Sequence, residues 1–248
     1  MWINIRSRHQ ALALARPGNV ANGTVAKIER TLDEKVVAIN EIVKRLKTNL
    51  YDVIADDALL RRIHEHEDVI RTFNNTVEGH GFGVVQRSLI SLFVLALMRC
   101  YDRQSDNRAS LPHAIELLKD ADVFEAVAVR ARDWNPGMSL EDSNEKTAKE
   151  KITEAIAAYD RCNADGDFQA RLTALRQHRD DYLAHSLFDM GKREKVVFGF
   201  LEDVMAETIP IVRALELAVA GNDWDPAQTR KAWDGYADAF WRRTLPTK

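Results

Sequence analysis

Apolar residues recur at three- and four-residue steps along most of this chain, and a chain patterned that way buries itself as packed α-helices. Ile28, Leu32, Val36, Val37, Ile39, Ile42, Val43 and Leu46 keep that step and predict a long helix from about Val25 to Leu50. Leu59, Leu60, Ile63, Val69, Ile70 and Phe73 predict a second, from about Asp57 to Asn74. Breakers are scarce, with 11 Gly and 6 Pro in 248 residues, and 46% of the chain is hydrophobic, enough for a sizeable core. The expected fold is all-α: a single-domain bundle of roughly seven to nine helices over residues 23–248. A flexible arm over residues 1–22, with turn signals at Pro17-Gly18 and Asn22-Gly23, is expected to precede it.

Further along, Val84 to about Tyr101 is apolar nearly all round and is expected at the centre of the bundle. The glycines of Glu78 to Gly83 predict a loop before it. Ser110 and Pro112 suit the start of a helix through Leu118, and another is expected over about Asp122 to Asp133. Trp134 to Gly137 is a break. Ser139 and Asp142 resemble a capping box for a helix from about Glu141 to Asp160, whose charged first half is expected to stand off as an excursion. Asn163 to Gly166 turns the chain. A long helix is expected over about Glu194 to Ala220, kinked near Pro210 and stopped by Gly221. Asp225 and Pro226 start a last helix carrying Trp233, Tyr236, Phe240 and Trp241.

The charge balance narrows the partners. With 35 basic and 38 acidic residues the net charge is -3, so any contact with nucleic acid must come from a local patch. Cys100 and Cys162 have no metal-ligand spacing and read as buried thiols of a reducing compartment. The apolar run Leu89 to Met98 is about half of what a membrane span needs. The short run between Arg8 and Arg16 is no secretory signal. A soluble, cytoplasmic protein without membrane association is expected. In His64 to Asp68 the two histidines are two residues apart and point to different sides of a helix, which suits a solvated face better than a ligand set.

The stretch Arg171 to Leu187 breaks the pattern. Leu172, Leu175, Tyr182 and Leu183 form an apolar stripe, and Arg179 occupies the position that should continue it. A guanidinium keeps its proton, so on a core-facing line it must find an anion or a polar cavity. On a regular helix, at about 100° per residue, His185 lies about 120° from Arg179, with Tyr182 between them. One face then shows a fixed cation, a phenol and an imidazole, which suits a phosphate. Two other readings stay open. Arg179 can reach a core-edge carboxylate such as Asp102 while His185 caps a helix end. Alternatively His178, Asp181 and His185, spaced i, i+3, i+7, can hold a divalent metal with a fourth ligand from elsewhere.

Arg179, Asp180 and His185, in the context RDDYLAHS, resemble the Arg-polar-x4-His signature of HEPN domains, and the wording LR..RD..LAHS is similar to their abortive-infection branch. An apolar helix ending in an Asp (LALMRCYDR) and a Ser-Leu pair (Ser110, Leu111) opening the next helix fit that layout. The resemblance spans roughly residues 25 to 220, without the arm and the last aromatic helix. It implies a metal-independent endoribonuclease serving as a toxin or phage-defence effector, leaving 2′,3′-cyclic phosphate ends, with paired motifs at the cleft of a homodimer. It also implies restraint by an antitoxin or sensor protein.

In that chemistry His185 is acid or base, Arg179 clamps the phosphate, and Asp180 orients one of them. Tyr182 and Arg176 are candidate RNA contacts, and no metal or other cofactor is required. The second function class is a non-catalytic HEPN-like module binding a nucleotide, RNA or a protein partner. The intact Arg-polar-His set favours catalysis, and the acidic net charge favours the module or a regulated enzyme.

Overall fold

The first helix opens on a capping box. The Glu34 amide donates to Thr31 Oγ1 at 3.3 Å, and the Thr31 amide donates to Glu34 Oε2 at 2.8 Å. These bonds start α1 (Leu32–Glu65). The computed structural model describes residues 30–65, 67–105, 108–180 and 198–244, and the arm expected over residues 1 to 22 lies outside them. Val36, Ile39, Val43, Leu46, Leu50 and Val53 alternate three- and four-residue steps, Leu60 follows two turns later, and all are almost completely buried. One helix of 34 residues therefore stands where two were expected. Tyr51 to Asp56 contains no Gly or Pro, and buried Val53 and Ile54 carry the seam across the expected break.

A short α2 (Glu67–Phe73) leads into α3 (Glu78–Cys100). The glycines read as a loop lie inside α3 instead. A Cβ on Gly79 would come within 2.4 Å of the Phe73 carbonyl oxygen, so glycine permits the end of α2 to press against α3. The expectation that this helix fills the centre holds only for its second half. Phe93, Val94, Leu97 and Met98 are buried, whereas Val84, Val85 and Leu92 are exposed. The central place belongs to α1, which packs against α3, α8 and α9 and touches α4 and α5. Among the described residues α3 is also the one helix long and apolar enough to cross a bilayer, because it extends beyond the run Leu89 to Met98.

The chain continues through α4 (Leu111–Lys119), α5 (Ala121–Arg130), a 3-10 turn (Ala131–Asp133), α6 (Glu141–Ala164), α7 (Gly166–His178), α8 (Phe198–Ala220) and α9 (Pro226–Thr244). Among the described residues there are nine α-helices and no strand, an all-α fold. Asp225 caps α9, accepting from the Ala227 and Gln228 amides at 2.9 and 3.3 Å. Ser110 stands at the N-cap position of α4, but its hydroxyl makes no capping bond. Ser139 is no cap at all: it adopts φ 51°, and Leu140 precedes α6. The charged first half of α6 does not stand off. Ala148 is buried with Ala128 and Ala131 beside Trp134, and Arg132 Nη1 bonds Glu145 Oε2 at 2.9 Å.

Gly221 ends α8 at φ 67°, and a Cβ there would meet the Trp134 ring at 2.7 Å. The Trp134 break thus folds back to cover the end of α8. On α9 only Ala237 and Trp241 are buried. Trp241 Nε1 donates to the Leu59 carbonyl at 3.2 Å, while Tyr236 and Phe240 are exposed. Both cysteines are free and buried; burial pushes Cys100 up to about 12 and Cys162 to about 11.

Asp56 on α1 makes the stability of this bundle depend on pH. Burial, and then the Asp52 carboxylate one turn away, raise its carboxyl from 3.8 to about 7. Between those values the folded chain holds a proton that the unfolded chain has lost, so stability falls as pH rises from about 4 to about 7. Asp56→Asn removes that slope. In denaturant titrations the variant is expected to match the native protein near pH 4 and to exceed it near pH 8 (about one unit beyond each limit at most).

Candidate active site at the end of helix α7

Helix α7 is placed by its cap and by its apolar side. Asp165 Oδ1 accepts from the Asp167 and Phe168 amides at 2.9 and 3.3 Å. Phe168, Leu172 and Leu175 are buried in the core, which turns Arg176 and Arg179 toward the C-terminal end of α3. The regular helix stops at His178, and Arg179 and Asp180 continue in a wider π-type turn, a distortion often found at functional sites. At Arg179 and Asp180 this wider turn replaces the about 100° step of the regular helix.

Arg179 finds its anions within its own chain. Nη1 donates to Asp102 Oδ1 at 2.7 Å and Nε to Asp180 Oδ1 at 2.8 Å. Of the two readings for an Arg on a core-facing line, the pairing with Asp102 is the one observed. The Arg179 and Asp102 side chains keep 21% and 25% of their exposure, so the pair sits at the edge of the core and not inside it. Burial works against the Arg179 charge, but the hydrogen bonds to Asp180 and Asp102 outweigh it and raise its affinity for the proton. Among the described residues Nη2 has no hydrogen-bond partner.

Further cations surround this pair. Arg176 Nη2 donates to the Tyr101 carbonyl at 3.3 Å, and Arg108 Nη1 lies 4.0 Å from Asp102 Oδ1. Arg99 and Arg103 are exposed on either side of Tyr101. Arg179 and Arg108 thus meet Asp102, and Arg176 bonds the carbonyl just before it, a local gathering of cations on a chain of net charge -3. A helix C-terminus, whose last carbonyls carry partial negative charge, favours such cations.

The structure brings together Arg176, Arg179 and Asp180 of the expected site. Asp181, Tyr182 and His185 lie outside the described residues, so the metal set His178, Asp181 and His185 is described only at His178. Burial holds the His178 imidazole below its ordinary value. Among the described residues no group of three His, Cys, Asp or Glu side chains can hold a metal ion.

A second charged cluster escaped the sequence reading. Asp57 is fully buried on the α1 seam between Val53 and Leu60, paired with Arg230 at 3.2 Å and Arg61 at 3.5 Å. Burial raises its carboxyl although both arginines pull it down. The signal was the same as for Arg179: a charge on an apolar helical line.

If the end of α3 holds Arg179, Asp102→Asn should cost about 1–2 kcal/mol in a denaturant titration, a range set by the pair's partial exposure. A double-mutant cycle with Arg179→Met should then be strongly non-additive. Additive losses would mean that the two side chains touch without supporting each other.

A family model described as AbiU2, of the HEPN type, matches residues 39–236. The match begins in α1 and ends in α9. It therefore takes in half of the last helix, which the resemblance read from the motif had left outside. No curated protein and no solved structure gives a significant match.

Proposed function

This chain belongs to the AbiU2 family of HEPN domains, an abortive-infection branch, and on that footing we propose that it is a metal-independent endoribonuclease of a phage-defence or toxin system. The observation that carries the reading is Arg179. It is held from two sides by Asp102 and Asp180 at the edge of the core, with Arg108 and Arg176 close by at the end of α3. A guanidinium fixed in this way is oriented before substrate arrives, and its Nη2 edge remains for phosphate oxygens. The ribose 2′ oxygen attacks the neighbouring phosphorus, and the bond to the 5′ oxygen breaks. His185 takes the hydroxyl proton or returns one to the leaving oxygen. The product ends are a 2′,3′-cyclic phosphate and a 5′ hydroxyl.

One His per chain supplies one of the two proton transfers, so the reading includes a homodimer that brings two motifs to one cleft. The exposed apolar residues Val84, Val85 and Leu92, on the helix that ends beside Asp102, support packing between copies along α3. An antitoxin or sensor protein that restrains the cleft belongs to the same reading, as does a cytoplasmic setting.

A second reading is a non-catalytic module that binds a nucleotide, RNA or a protein. The pairing of Arg179 with carboxylates of its own chain favours it, because a phosphate must approach against their charge.

RNA cleavage in EDTA separates the two. The native protein should cleave, and Arg179→Ala and His185→Ala should each be slower by about 10²–10³-fold. Activity lost on adding EDTA would move the site to His178, Asp181 and His185. Equal cleavage by all three proteins would place the site elsewhere, and none by folded native protein would favour the module.

A further inference from the structure

One helical turn before Arg179, where Arg176 forms part of the wall, a cavity of about 70 Å³ opens between α4, α6, α7 and Tyr101 at the end of α3. We propose that it is a base-binding subsite, which takes the edge of the nucleobase adjoining the phosphate held at Arg179; the proposal rests on the reading of Arg179 as a phosphate clamp.

The walls have the mixture that a base edge needs. Phe168 and Tyr101, both buried and in edge contact at 5.9 Å, form an apolar floor. Half-buried Tyr159 stands at the side. Gln169 Nε2 donates to the Cys162 carbonyl at 3.3 Å and to Asn163 Oδ1 at 3.4 Å, which fixes the amide. Among the described residues neither the Gln169 Oε1 acceptor nor the Tyr159 hydroxyl has a hydrogen-bond partner. An amide and a phenol at an apolar wall are groups that proteins use on unstacked bases, reading donor and acceptor edges while an aromatic face covers the ring.

Position links this cavity to the phosphate site. Arg176 lines it and lies one helical turn before Arg179, a separation of about 5–6 Å between neighbouring side-chain origins. Arg176 bonds the Tyr101 carbonyl, and the next residue, Asp102, holds Arg179. One nucleotide spans that distance. Among the described residues no carboxylate lines the cavity, and Arg176 is its one charged wall residue; the nearest carboxylate named against a wall residue is Glu207, 3.5 Å from the Cys162 thiol. A larger cavity of about 180 Å³ between α1 and α9 is lined by Glu65, Asp234 and Asp238 beside its arginines, which opposes an anionic strand. The smaller cavity has no room for a whole nucleotide. It admits a base edge while ribose and phosphate remain outside, next to Arg179.

The test is calorimetric binding of the 3′-monophosphates of adenosine, guanosine, cytidine and uridine, and of inorganic phosphate, to the full chain. One nucleotide should bind about tenfold more tightly than the others and than phosphate, as a single well-made base contact allows. Gln169→Ala and Tyr159→Phe, both at the cavity rim, should bring that preference down to about threefold or less while phosphate binding stays unchanged. Arg179→Ala should weaken every ligand and leave the preference among bases intact. A preference that survives while phosphate binding ignores Arg179→Ala keeps the subsite and removes the clamp. Equal binding of all four nucleotides, a preference untouched by both rim variants, or no binding of any nucleotide by folded protein would overturn the subsite.

Discussion

The burial of one seam along α1 governs the arrangement of the other helices. Its apolar positions from Val36 to Leu60 are almost without solvent contact, and α3, α8 and α9 are the helices that remove it. Each fully buried aliphatic side chain contributes about 1.5–3 kcal/mol relative to exposure, so a seam of this length is a large source of cohesion in a chain whose two cysteines are free. Asp57 interrupts the seam at no exposure. A carboxylate there is tolerable only because Arg230 comes down from α9 and Arg61 turns in from the next turn of α1. The charge that weakens the seam locally is therefore also what specifies where α9 docks.

The site at the end of α7 follows the same logic with the signs reversed. There the buried line carries a cation, and the carboxylate that answers it comes from Asp102, two residues after the end of α3. Because Asp102 and Arg179 both lie at the core edge, the pair is neither fully desolvated nor freely exchanging with water. It holds the guanidinium in one orientation at moderate cost. Arg176 answers the Tyr101 carbonyl at the end of α3, and Arg108 approaches Asp102, so further cations stand beside the pair.

Much of this was legible in the sequence because its signals are local. Asp225-Pro226, Asp165-Gly166, Gly221 and the break at Trp134 act through hydrogen bonds and backbone angles within a few residues, and all stand where they were expected. The misreadings share one cause, which is that tertiary packing overruled a local preference. Glycine at 79 favours a loop in isolation, but here it permits close contact with Phe73. Ser139 has a good capping side chain, yet its backbone turns to φ 51°, and Leu140, which makes no side-chain capping bond, takes the N-cap position. Arg179 was visible as an anomaly, and Asp102 was among its named partners. Asp57 was equally visible as a carboxylate on an apolar line, and asking which cation answered it would have located α9.

On the proposed reading Arg179, held by Asp102, receives a phosphate of RNA. The most direct measurement is a crystal structure of the protein bound to a short RNA made uncleavable by 2′-deoxy substitution. A phosphate oxygen is expected about 3 Å from Arg179 Nη2, with the bond to Asp102 still in place and His185 of one copy beside the substituted ribose. An oligonucleotide bound elsewhere, with Arg179 enclosed by Asp102 and Asp180 and no phosphate near it, would contradict that reading.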